Sequence, residues 1–121
     1  MVRSIHTYSV TPALPGQLAR LQDLAYNLWW SWDAEATELF RRLDRELWEK
    51  VAHNPVRLLG AIDQGRLSAS AKDAGFLTHL GQVMSRWDEY MAGGRTWYAE
   101  VAGEDNPGLL AYFCMEFGLS E

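Results

Sequence analysis

Leu24-Ala25-Tyr26-Asn27-Leu28-Trp29-Trp30-Ser31-Trp32-Asp33 limits what this chain can become. Half of its six tryptophans fall within four positions there. A packed Trp or Tyr removes on the order of 150–250 Å² from water, so these rings dominate the burial open to so short a chain. Upstream, Leu14, Leu18, Leu21, Ala25, Leu28 and Trp32 recur at steps of four and three. That spacing predicts one apolar helix face opening at Pro15-Gly16 and running toward Trp29 or Trp30. Large apolar side chains at helical spacing are usually core, so the first expectation is a packing centre. The competing one is a sugar-stacking platform, in which Trp29, Trp30, Trp32 or Trp97 lies against a pyranose ring.

With 121 residues the chain suits one domain and one modest core. Its net charge of −5 gives no electrostatic footprint for nucleic acid and disfavours an anionic membrane surface. The longest apolar run, from Leu109 to Met115, is far short of the roughly 18–20 residues of a spanning helix. The start Met1-Val2-Arg3-Ser4 lacks the apolar core of a signal peptide. A single cysteine, Cys114, allows no internal disulfide and fits a cytoplasmic location.

Residues 2–12 read as an extended arm, with Ile5, Thr7, Tyr8, Val10 and Thr11 favouring strand and Pro12 stopping it. Asp33 is placed to cap a second helix with Ala36, Leu39, Phe40 and Leu43 inside. Asp44 is a further candidate cap before Leu47, Trp48 and Val51, so 34–52 is one kinked helix or two short ones. Glu38, Arg42, Glu46 and Lys50 read as its solvated face. Asn54-Pro55 starts another helix, with Val56, Leu59 and Ile62 inside and Gly65 past its end; Ser68 begins a further turn. The strongest later helix covers 76–91, with Phe76, Leu77, Leu80, Val83, Met84, Trp87, Tyr90 and Met91 in register. Gly93-Gly94 ends it. The stretch 96–101 is ambiguous between strand and helix.

Gly103-Glu104-Asp105-Asn106-Pro107-Gly108 is a run of turn formers and reads as a linker. Beyond it, Leu109–Met115 has the pattern of a strand buried on both faces, as in a parallel sheet. Such a strand needs neighbours that the rest of the chain does not supply. The expectation is a mainly α helical bundle over 1–102, a linker over 103–108, and over 109–121 the start of a truncated α/β, Rossmann-like domain.

Several segments resemble known proteins. The tryptophan stretch, Glu38-Leu39-Phe40-Arg41-Arg42-Leu43-Asp44, Leu47-Trp48 and His53-Asn54-Pro55-Val56-Arg57-Leu58-Leu59 look like the N-terminal region of bacterial α-glucan (glycogen, starch or maltodextrin) phosphorylases. The tail Leu110-Ala111-Tyr112-Phe113-Cys114-Met115-Glu116-Phe117-Gly118-Leu119-Ser120-Glu121 resembles the first strand of their catalytic domain. The resemblance covers nearly the whole chain in order and spacing. It implies a parent enzyme that uses pyridoxal phosphate and inorganic phosphate to release glucose-1-phosphate from an α-1,4-glucan. The family's cofactor lysine, phosphate-binding residues and glycine-rich loop fall downstream of Glu121. The implied role of this piece is structural or interaction-forming, with the rest of the phosphorylase chain as partner. An α-glucan ligand, a homo-oligomer and a stand-alone helical adaptor are the alternatives.

The residues supply little chemistry of their own. Lys50 and Lys72 sit in charged contexts unlike a desolvated Schiff-base lysine. His6, His53 and His79 form no ligand cluster at zinc spacing. The acidic pairs Glu35/Glu38 and Asp88/Glu89 read as exposed helix charges rather than carboxylates facing each other across a cleft. Glu116, at the end of the expected strand, is the one carboxylate placed where α/β sheets contact ligands. In the resembled family that neighbourhood borders the sugar pocket.

Overall fold

The computed structural model describes residues 10–93 together with Thr96, Trp97 and Glu100. Within residues 10–93 six α-helices follow one another: α1 (Arg20–Tyr26), α2 (Ala34–Leu43), α3 (Arg45–Lys50), α4 (Pro55–Ala61), α5 (Gln64–Ser70) and α6 (Ala74–Met91). Two 3₁₀ turns, Gly16–Leu18 and Leu28–Ser31, flank α1. Among the described residues there is no strand. The linker, the expected strand with Cys114 and Glu116, and most of the expected arm lie outside them.

Short helices need their ends satisfied, and Asp or Asn does this at the start of α2 through α6. Asp33 accepts from the Ala36 amide at 2.8 Å, Asp44 from Leu47 at 3.0 Å, Asn54 from Arg57 at 3.0 Å and Asp73 from Phe76 at 3.0 Å. Each side-chain cap of this kind is worth about 1 kcal/mol. The caps read from Asp33, Asp44 and Asn54 are as expected, and Asp44 resolves 34–52 into two helices. The 76–91 helix is also as expected, beginning two residues earlier behind Asp73 and ending at Gly93, whose φ is +66°.

The first helix differs. It stops at Tyr26 because Asn27 adopts an extended conformation and its own side chain accepts from the Trp29 amide at 3.0 Å. This local bond competes with continuation of the helix. The register therefore breaks, and Leu28 and Trp32 leave the buried face, at 50% and 88% exposure. The core takes Leu18, Leu21, Leu24 and Ala25 from this region, together with Trp30.

Other departures have similarly local reasons. In α4 the buried residues are Pro55 and Leu58, with Ile62 just beyond, while Val56 and Leu59 are half-buried. A helix of two turns fits either phase; α4 packs on α1, with Leu58 buried. Gly65 does not follow a helix end. It lies in the first turn of α5, whose cap Asp63 accepts from the Gly65 and Arg66 amides, and Ser68 is inside that helix. The charged row Glu38–Arg42–Glu46–Lys50 is split by the break at Asp44. Glu38 pairs instead with Arg41, and Arg42 turns to α6. Tyr90 and Met91 keep the phase of α6 but are exposed, since the buried residues of that helix end at Trp87. Within 96–101, the Glu100 amide donates to the Thr96 carbonyl at 3.1 Å, a helical spacing.

The centre of the bundle is an aromatic trio from three elements. The rings of Phe40 and Trp48 stack at 6.2 Å and 9°, and Trp30 meets both edge-on at 6.2 and 6.1 Å. Offset-stacked and edge-on pairs add roughly 0.5–1.5 kcal/mol each beyond the area they bury. Trp30 thus gathers α2 and α3, and α2 packs in turn against α6. At the other end, the Gln64 side chain holds the entering strand of chain by exchanging two 2.9 Å hydrogen bonds with the Ala13 backbone.

Candidate functional site

The three neighbouring tryptophans face three different environments. Trp30 is core, 7% exposed. Trp29 is half-buried, with its ring 6.2 Å from that of Tyr90 on α6. Trp32 points to solvent. The extended kink at Asn27 and the tight 3₁₀ turn after it separate them. They do not form one continuous platform, and Trp32 is the indole with open faces. Trp97 is also exposed, while Glu116 lies outside the described residues.

Beside this corner runs a shallow apolar groove between α1 and α4. Ala25, Tyr26, Leu28, Trp30, Pro55 and Val56 line about 380 Å³ of it, with Asn54 and Arg57 at its rim. It continues past Tyr26 and Val56 toward Leu14, Leu59 and Gly60. Sequence reasoning missed this groove, because its walls are residues expected to be inside.

Several ionisable side chains serve the fold. Arg20 forms a two-pronged pair with Asp88, one bond at 2.9 Å, and its guanidinium lies 5.3 Å over the ring of Trp87. The hydrogen bonds from Arg20 hold the Asp88 carboxyl below its usual range and raise the guanidinium further. His53 stacks on Trp48 at 5.3 Å and bonds Glu49 at 2.9 Å. His79 is buried between α6 and α2. Its Nδ1 lies 2.9 Å from Arg42 Nη1. A guanidinium only donates, so Nδ1 accepts and the ring proton sits on Nε2. Nε2 is 3.0 Å from Glu35 Oε2, an ion-pair distance, but the two are out of line for a hydrogen bond. Among the described residues no three His, Cys, Asp or Glu side chains converge on a metal position. None of the described helices is long and apolar enough to cross a membrane.

The family model described as "Protein of unknown function (DUF3417)" matches residues 14–121. The chain belongs to the DUF3417 family. It is 38% identical over 125 residues to the glycogen phosphorylase of Mycobacterium tuberculosis H37Rv, covering 99% of this chain and 14% of that protein. It is 37% identical over 108 residues to the maltodextrin phosphorylase of Thermococcus litoralis, covering 89% of this chain and 13% of that protein. A glycogen phosphorylase of Aquifex aeolicus is 42% identical over 71 residues, 59% of this chain and 10% of the relative. The DUF3417 chain thus spans about a seventh or less of the length of the relatives it matches. No solved structure matches it.

Against that background the lysines are informative. Lys50 ends α3 and Lys72 follows α5, and both are exposed. A Schiff-base lysine needs a desolvated pocket, so neither residue of this DUF3417 chain fits pyridoxal phosphate.

Proposed function

We propose that this chain is the N-terminal helical module of an α-glucan phosphorylase and that its role is structural, without catalytic groups of its own. The observation that carries this reading is one of proportion. The match to glycogen and maltodextrin phosphorylases takes in nearly all of this chain and a small part of each relative. The geometry is in keeping with it: Asp33, Asp44, Asp63 and Asp73 cap helices, Arg20 and Asp88 pair on the surface, and an apolar groove lies between α1 and α4. Phosphorolysis and the pyridoxal phosphate it uses belong, in this reading, to the rest of a cytoplasmic enzyme chain.

The test is to read the gene past codon 121 and to assay the encoded protein for phosphate-dependent release of glucose-1-phosphate from maltoheptaose. A continuing frame and phosphorolysis are the expected result. A stop codon directly after Glu121, or an encoded protein that releases no glucose-1-phosphate, overturns it.

A second reading, α-glucan binding, is favoured by Trp32, which is 88% exposed. It predicts that maltoheptaose quenches or shifts tryptophan fluorescence and that Trp32→Ala removes the response. No response in the unmodified protein discards it.

A further inference from the structure

Four of the apolar side chains that the core leaves out lie around Asn27. Tyr26 and Leu28 flank it and are 71% and 50% exposed. On its other side, Asn27 Nδ2 lies 3.6 Å from Met91 Sδ, and the ring of Trp29 packs against Tyr90. Tyr90 and Met91 are themselves 64% and 57% exposed. They continue the inward phase of α6 after the bundle has run out of partners for it.

The two tyrosines alone leave on the order of 250 Å² of ring-bearing side chain to water. With Leu28 and Met91 the patch reaches the several hundred Å² that mark interaction sites on soluble proteins. Tyr and Met are also residue types that protein interfaces favour.

Two observations say what covers the patch. Helix α6 ends at Met91 itself, so the chain leaves this helix at the edge of the patch. The relatives matched by nearly all of this chain are about seven times its length. A domain joined there is held at an effective concentration on the order of millimolar, enough for a modest apolar contact to stay closed.

We infer that Tyr26, Leu28, Tyr90 and Met91 form the seat on which the catalytic part of the same phosphorylase chain packs. The inference rests on the phosphorylase reading above and names the partner of the module within it.

The experiment uses the full-length protein. A photoreactive benzoylphenylalanine replaces Tyr90, crosslinks are mapped by mass spectrometry, and peroxide oxidation of Met91 is followed in the unmodified protein. The expected crosslinks join position 90 to residues beyond 121 of the same chain. Met91 should oxidise at least about tenfold more slowly than free methionine, as a covered thioether does. Buried Met84 supplies the internal reference for protection. Crosslinks between two copies overturn the inference in favour of a dimer contact. Absence of crosslinks with Met91 oxidising at the free rate overturns it in favour of a bare surface. Glucose-1-phosphate release by the same preparation reports separately on the phosphorylase reading: an active enzyme with Met91 unprotected sinks the docking seat alone.

Discussion

Asp33 and Arg86, 53 positions apart, are joined by two hydrogen bonds of 2.9 and 3.1 Å, and the same carboxylate caps α2 at the Ala36 amide. One side chain thus starts a helix and ties it to α6. The two roles separate by substitution. Asn keeps an acceptor for the cap but gives up the charge that holds Arg86; Ala loses both. Asp33→Asn should destabilise by about 1 kcal/mol, the upper range for a partly exposed ion pair. Asp33→Ala should lose about 2 kcal/mol, since a cap contributes about another 1. Urea unfolding midpoints check both, and equal losses would mean that the cap contributes nothing.

The end of α3 stores backbone strain. The His53 amide reaches the Trp48 carbonyl at 3.0 Å and the Ala52 amide reaches Glu49 at 3.1 Å, the paired bonds of a Schellman ending. Ala52 and His53 sit at φ of 53° and 62°. The equivalent position after α6 is Gly93, where the left-handed conformation is unstrained. Ala52→Gly should therefore stabilise the fold, by about 1 kcal/mol less the entropy that glycine adds to the unfolded chain. Gly93→Ala should destabilise it by about 1 kcal/mol. Thermal unfolding of the two variants should move in opposite directions.

These two sites show why some of the fold was legible in the sequence and some was not. Caps are local: an Asp or Asn followed by a helical run satisfies its own amides whatever else the chain does. Asp33, Asp44 and Asn54 could be read for that reason. Asn27 is the same chemistry inside a leucine-rich period, and there the period hid it. The phase of α4 was illegible because Val56, Leu58 and Leu59 all fit a two-turn helix until α1 is in place. Gly65 looked like a terminator, although Asp63 just before it begins a helix. At the candidate site, an aromatic cluster was plain in the sequence, but which indole is core depends on Phe40 and Trp48 arriving from other helices. Glu116 and the expected strand lie outside the described residues.

The unequal fates of the tryptophans give a sharp contrast in stability. Trp30 fills the space between Phe40 and Trp48, so Trp30→Ala leaves a large cavity and should cost about 3–5 kcal/mol. Trp32, two residues away, makes no comparable contact and Trp32→Ala should stay within about 0.5 kcal/mol. The emission of the Trp32→Ala protein should also move to shorter wavelength, because a solvated indole has been removed. Chemical denaturation followed by circular dichroism measures the first effect independently of the fluorescence.

Asp88 and Arg20 set an acid limb on the stability curve. Hydrogen bonds from Arg20 hold the folded-state carboxyl below its ordinary value, while in the unfolded chain it titrates near 3.9. A group with a lowered folded pKa contributes its stability above the unfolded pKa. That contribution drains away as pH falls through the folded value, because the unfolded state takes up the proton first. Asp88→Asn should therefore be less stable than the parent by a constant margin above about pH 5, and the margin should shrink as pH drops below about 4. The pair is exposed, so added salt should narrow the same margin at neutral pH. Urea midpoints from pH 3 to 7 at low and high salt test this, and a margin that widens on acidification would rule out Asp88 as the lowered carboxyl.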